Sequence, residues 1–273
     1  MARQALGGVP AWQTESLLHK KHRVRRAAVL AALVVLAGCG QRATGDSILE
    51  GAIPVDAVIV ADANLDRLRG TPLWGAVPAG LAEPFGQASR VMAASAQDEW
   101  LLLARGNFAQ PPAGGRWLAP GVAAAGSDRL TAEAERQWRS ARVARPLIEF
   151  AVAHADGSAL WIAARGGVDL PLSGNYANLN RLLADVEFAC VAVHLDGACR
   201  FELRAESRSE AAAQRFEQTL RAMLSLAAMA EARHAELAEA LNGAVVRRDG
   251  RKVDADLSGS METVAKLLGQ APR

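Results

Sequence analysis

The chain has 273 residues, 51% of them apolar and only 5% aromatic, enough for one large domain or two small ones around an aliphatic core. Its formal charge of +2 is unevenly spread: setting aside the six basic and one acidic residues of positions 1–38 leaves 25 basic against 28 acidic, a net charge of −3. A mildly acidic body lacks the electrostatic footprint of a nucleic-acid-binding protein.

The first element in chain order is a basic run, Lys20-Lys21-His22-Arg23-Val24-Arg25-Arg26, followed by an unbroken apolar run at 27–37. Eleven helical residues reach only about 17 Å, short of the ~30 Å hydrocarbon layer, so the run reads as the core of an export signal rather than a span. It ends in Leu36-Ala37-Gly38-Cys39, which resembles the lipobox of bacterial lipoproteins. That resemblance implies cleavage between Gly38 and Cys39 and lipidation of the Cys39 thiol, which places residues 1–38 in a signal peptide and anchors the rest to a membrane, facing the periplasm. Gly40, rather than Asp, follows the cysteine, and by analogy with the enteric sorting rule outer-membrane delivery is favoured over the inner membrane. The segment before the basic run carries Trp12 and Glu15, unusual in a signal, which makes Val24 a candidate translation start alongside Met1. Residues 39–54, small and polar and closed by Pro54, read as a flexible tether.

The exported body opens with a strand at 55–61 and a helix capped by Asn64. Thr71-Pro72 signals another helix start, carrying Leu73, Trp74 and Val77. A hairpin follows, 89–94 and 100–105 around Gln97-Asp98, then a Gly/Pro-rich loop at 106–120, a strand at 121–125 and a helix at 128–140 capped by Ser127. A second pass starts at Pro146 with a helix to 154, a turn at Asp156-Gly157, a strand at 159–165 and a loop at 166–176. Ala177-Asn178-Leu179-Asn180-Arg181-Leu182 then matches Ala63-Asn64-Leu65-Asp66-Arg67-Leu68 in five of six positions. Each hexapeptide follows a strand and precedes a hairpin, the mark of an internal duplication.

The second hairpin, 187–194 and 198–206, turns at Asp196-Gly197. A two-residue turn there sets Phe188, Cys190 and Ala192 with Phe201 and Leu203 on one buried face, and Arg200, Glu202 and Arg204 on the other. Ser207-Arg208-Ser209-Glu210 is a capping box opening a long helix at 210–230, with Ala212, Phe216, Leu220, Met223, Leu224 and Ala227 on one face. A helix at 233–241 stops at Asn242-Gly243, a hairpin turns at Asp249-Gly250, and Ser260 caps a last helix at 261–268. The predicted fold class is α+β: tandem units at 55–145 and 146–273 of antiparallel sheet with helices on one face, loosely ferredoxin-like, able to pack as one domain. The layout resembles a group of uncharacterised exported bacterial envelope proteins with an Asn-Leu-Asp-Arg-Leu-like helix start and a long penultimate helix. The resemblance covers most of 55–268 and implies no activity.

No catalytic, cofactor or metal constellation emerges. Cys190 and Cys199 invite a disulfide in an exported protein, but the two-residue turn pairs Cys199 with His194 and separates the two thiols by ~13 Å along one face, so they are expected to be buried and free. The remaining histidines, His154 and His234, have no zinc spacing with any cysteine or with each other. A Cys199–His194 nucleophile pair would lack a third, orienting residue. Gly45-Asp46-Ser47-Ile48 resembles the opening block of GDSL-type esterases, yet it sits in the tether and no Asp-x-x-His follows. Two surfaces remain: the loop 166–176 with Tyr176, and the helix 210–230 with Met223 and Met229, suited to an apolar ligand or partner. The expected function is a lipid-anchored, non-catalytic interaction module whose partner is the membrane through Cys39 and an envelope protein or apolar ligand. The alternatives are a lipid carrier, which needs an apolar cavity between helix 210–230 and the sheet, and an enzyme with an acidic site around Asp62 and Asp66.

Overall fold

A computed structural model of the chain describes residues 47–76, 86–111, 114–140, 145–167, 182–232 and 234–270. These begin with a one-turn helix, α1 (Ser47–Glu50), followed by strand β1 (Ile59–Asn64) and helix α2 (Leu65–Arg69). The Asn64 side chain accepts from the Arg67 N–H at 3.1 Å, the predicted cap. A 3₁₀ turn (Trp74–Ala76) stands where a helix is expected after Pro72. Then come the hairpin β2 (Ala88–Ala96) and β3 (Glu99–Gly106), a short β4 (Arg116–Ala119), and β5 (Val122–Gly126). Helices α3 (Asp128–Arg139) and α4 (Pro146–His154) lead to β6 (Leu160–Arg165) and the hairpin β7 (Val186–Leu195) and β8 (Cys199–Ser207). Helices α5 (Glu210–Ala230) and α6 (Ala235–Asn242), strands β9 (Val245–Asp249) and β10 (Lys252–Gly259), and α7 (Met261–Gln270) complete the described chain.

The ten strands form one antiparallel sheet in the order β4-β5-β3-β2-β1-β6-β7-β8-β10-β9. Read outward from the centre, each half runs first, second, third, fifth, fourth strand. The two halves meet where β1 lies antiparallel to β6, with Ala61 opposite Ile162. The α+β class and the antiparallel sheet are as predicted. The helices, however, cover both faces rather than one. Leu49 and Ile53 of the entry segment, Leu130 of α3 and Leu147 and Ile148 of α4 bury Val60, Met92, Leu101, Leu103 and Trp161 on one face. On the opposite face Leu65 and Leu68 of α2 meet Leu160, Val193, Leu195 and Cys199, while Phe216 of α5 covers Val186, Ala205 and Val253. Of the second hexapeptide, only Leu182 lies within the described residues.

Three local expectations are corrected. Residues 47–53, read as tether, are part of the core: Leu49, Ala52 and Ile53 are fully buried. Arg145 locks them in place, donating to the carbonyls of Gly51 and Ile53 at 2.8 Å and to Gln137 Oε1 at 2.9 Å. The loop 106–120 contains β4, where Trp117 packs its ring 6.2 Å from Phe108. Ser209 alone caps α5, accepting from the Ala212 N–H at 3.2 Å, and Ser207 is a buried strand residue.

The second hairpin turns through three residues, not two, since Leu195 pairs with Cys199. Gly197, at φ +82°, supplies the left-handed backbone the turn needs. One residue of slip exchanges the faces of β8 relative to β7. Cys190 therefore stands opposite Arg204, and His194 opposite Arg200. Phe201 and Leu203 share their face with Val193 and Val191 instead of Phe188, Cys190 and Ala192. The two cysteines are both buried and form no disulfide, but for a different reason from the one expected: they lie on opposite faces of the sheet, in separate core clusters.

Burial pushes the Cys190 thiol up to about 12, with Arg204 pulling weakly the other way. In the native protein at pH 8 neither buried thiol is expected to react with an aromatic disulfide reagent, and both should react in denaturant without reductant. Failure to titrate both there would mean a bridge. The Cys190 contribution to stability is fully present below the unfolded thiol value of about 8.5. It falls by about 1.4 kcal/mol per pH unit as pH rises toward the folded value.

Candidate functional site

None of the acidic or nucleophilic candidates converge. Asp62, on β1, is 2% exposed and forms a paired contact with Arg90 of β2, whose Nε and Nη2 donate to the two carboxylate oxygens at 2.7 Å. Asp66 lies on α2 in solvent, 2.7 Å from Arg69. Asp62 and Asp66, the carboxylates named for the enzyme alternative, each contact a different arginine. His194 is buried 3.8 Å from Glu202 and on the face opposite Cys199, so the Cys-His pair is not formed. The His154 Nδ1 lies 2.8 Å from the Phe150 carbonyl, and His234 is exposed at the start of α6. Among the described residues no three metal-ligating side chains are placed to share an ion. Cys39, the lipobox, Gly40 and Tyr176 lie outside the described residues. So do Gly45 and Asp46 of the GDS motif, whose Ser47 opens α1.

The site that does take shape is at the far end of α5. Buried positions on this helix cluster at its start, Ala212, Ala213 and Phe216, and recur only at Ala228. There α5 is also pinned by charge. Glu217 sits between Arg221 on its own helix and Arg248 of β9, at 2.9 and 3.2 Å, and Arg221 also reaches the Val246 carbonyl. These arginines, Arg221 foremost, hold the Glu217 carboxyl below the usual carboxylate range.

Beyond Arg221 the sequence changes character. Residues 222–230, AMLSLAAMA, carry no charge. Met223, Leu226 and Met229 recur every three residues, which puts them along one stripe of the helix. They are 36, 65 and 73% exposed. Met223, expected on the core face, therefore turns outward. Next to the stripe an open groove of about 590 Å³ runs between α5 and α6, lined by Ala228, Met229, Ala232, Ala235, Ala238, Glu239 and Asn242. No residue of α6 is fully buried. The helix is held instead by Thr263 bonding to Glu236 and by its packing against α5 and β10. The space beneath the front of α5, where the carrier alternative needs a cavity, is occupied by Phe216 and Ala213 packed on Val186, Ala205, Val253 and Ala255.

Two large methionines and a leucine left in water on one uncharged helix face, beside an apolar groove, form a surface suited to contact with another apolar surface. Among the described residues no helix is long and apolar enough to cross a membrane. The fold thus defines an α+β protein built on a single ten-stranded antiparallel sheet. No protein-family model and no curated protein matches the chain. Two solved structures are similar to it. Crystal form I of TP0453 is 13% identical, with a TM-score of 0.46 over 80% of this chain and 95% of that one. Crystal form IV of TP0453 is 11% identical, with a TM-score of 0.47 over 81% and 96%.

Proposed function

We propose that the chain is an exported lipoprotein, anchored through Cys39 after cleavage behind Gly38, whose α+β domain is a non-catalytic binding module. Its contact surface is the stripe Met223-Leu226-Met229 with the α5–α6 groove. The observation that carries this reading is the exposure of three large apolar side chains on a helix segment without a charge. Burying one such side chain against a partner is worth about 1.5–3 kcal/mol, and leaving three in water forgoes that gain. The anchor supports the reading because it confines the domain to the membrane surface, where partner concentration is effectively raised. Gly40 favours delivery to the outer membrane.

The test is a photo-reactive residue placed at position 226 or, as a control, at Gln214, in intact cells, with and without Cys39→Ser. An adduct formed at 226 but not at 214, and lost in the unanchored variant, is the expected result. Absence of any adduct at 226 in the anchored protein would remove the contact surface from the reading.

A further inference from the structure

The antiparallel topology sorts the molecule into two ends. At one end lie the close of β1 at Asn64, the close of β3 at Gly106, the start of β5 at Val122, the turn between β7 and β8, the close of β10 at Gly259 and the start of β9 at Val245. Helix α5 starts after Ser207 at the opposite end. Its 21 residues carry it back about 31 Å, so the stripe 223–229 and α6 arrive at the Asn64 end. The bond from Thr263 to Glu236 and the packing of α6 along β10 hold α6 there.

The described chain begins at that end as well. Ile48, itself an exposed apolar residue, lines a cleft with Asp66, Gln87, Asn107 and Val122, all from the Asn64 end. The buried Leu49 and Ile53 and the grip of Arg145 fix this entry point to the body of the protein. Only seven residues, 40–46, separate it from the lipid-bearing Cys39 of the proposed anchor, eight Cα-to-Cα steps in all. Fully extended they reach about 28 Å. The strands carrying the entry cleft and those beneath α5 are about five strand spacings apart, about 24 Å. The entry segment and α5 lie on opposite faces of the sheet but reach the same end of it, and an anchor that short sets that end, with the stripe, against the surface into which the lipid is inserted.

We propose that the occupant of the Met223-Leu226-Met229 stripe is the lipid bilayer itself, the stripe lying in the acyl boundary as a second, reversible point of attachment. The inference rests on the lipidation of Cys39 proposed above. Chemistry favours this occupant: the stripe is uncharged over nine residues, its side chains are flexible and unbranched or singly branched, and it offers no hydrogen-bonding pattern a folded partner would read.

The experiment uses the membrane-extracted, full-length processed lipoprotein carrying Leu226→Cys or Gln214→Cys, labelled with an environment-sensitive fluorophore and reconstituted into phosphatidylethanolamine/phosphatidylglycerol vesicles. Cys190 and Cys199 are buried and escape the label. The label at 226 is expected to shift to the blue, to be quenched several-fold more by doxyl-lipid than the label at 214, and to be protected from iodide. A label at 226 as open to iodide as that at 214 would overturn the inference. So would one shielded from iodide but untouched by doxyl-lipid, which would assign the stripe to a second copy of the chain. The mass of the extracted protein is read in parallel: without lipid on Cys39 the underlying reading fails, whereas lipid present with an aqueous label at 226 refutes this inference alone.

Discussion

Arg90→Ala is expected to destabilise the protein by about 3–5 kcal/mol, read as a fall in the urea midpoint at unchanged slope. Asp62 and Arg90 lie 2 and 7% exposed within the sheet face that carries Met92 and Trp161. Their two 2.7 Å hydrogen bonds are charge-assisted and doubly dentate. Removing the guanidinium leaves a carboxylate in an apolar layer with neither solvent nor its bidentate partner. Asp62→Ala should cost a similar amount for the mirror reason. Replacing both residues together, Asp62→Leu with Arg90→Met, should recover most of the loss, because an apolar pair avoids the desolvation of two charges. A double-mutant cycle built from Asp62→Leu, Arg90→Met and the two combined measures this directly. If the two single losses simply add in the double variant, the pair is not coupled and the account of this part of the core is wrong.

Leu49→Ala is expected to cost about 2–5 kcal/mol, the value for a fully buried leucine whose cavity does not collapse. This residue lies in a stretch whose composition suggests a dispensable linker. The structure makes it a wedge between the sheet and α3, stapled by Arg145. Thermal unfolding of the variant separates the two views: a linker residue would leave the midpoint within about half a kcal/mol of the parent. Arg145→Ala should reproduce part of the loss, since it frees the carbonyls of Gly51 and Ile53.

Much of the fold was legible because its signals are local. Asn64, Ser127 and Pro146 start helices by satisfying or dispensing with free N–H groups. The β2/β3 and β9/β10 hairpins announce themselves by alternation and by turn residues. What escaped has physical reasons too. Strand β4 is four residues at the sheet edge, half exposed, with no alternation to read. Asp-Gly accommodates both two- and three-residue turns, and the choice depends on packing across the whole sheet, yet it decides on which face Cys190, Cys199 and His194 fall. In residues 47–53 the apolar pairs Ile48-Leu49 and Ala52-Ile53 are outweighed by small and polar neighbours, although they are the part that packs. Of the contact surface, Met223 and Met229 were singled out by residue type, but their helical spacing pointed inward. Periodicity marks a face without saying whether anything lies opposite it, and α5 has sheet beneath its start and open groove beside its end.

The ladder between β1 and β6 has a consequence for how the chain becomes a single body. Most other neighbours in the sheet are joined by hairpins or by connections of a few dozen residues. Ile59 and Ala164, by contrast, are more than a hundred residues apart in sequence yet adjacent in the ladder. Closing that loop carries the largest entropic cost of any pairing in the sheet, and it is repaid by contacts that exist only after both wings have their strands in register. Loop-closure entropy therefore favours the hairpin pairings within each wing over this central joint. A chain that lengthens from its N-terminus presents a first half-sheet with the β1 edge open until residues 160–165 arrive to cover it, before any other strand of the second half exists.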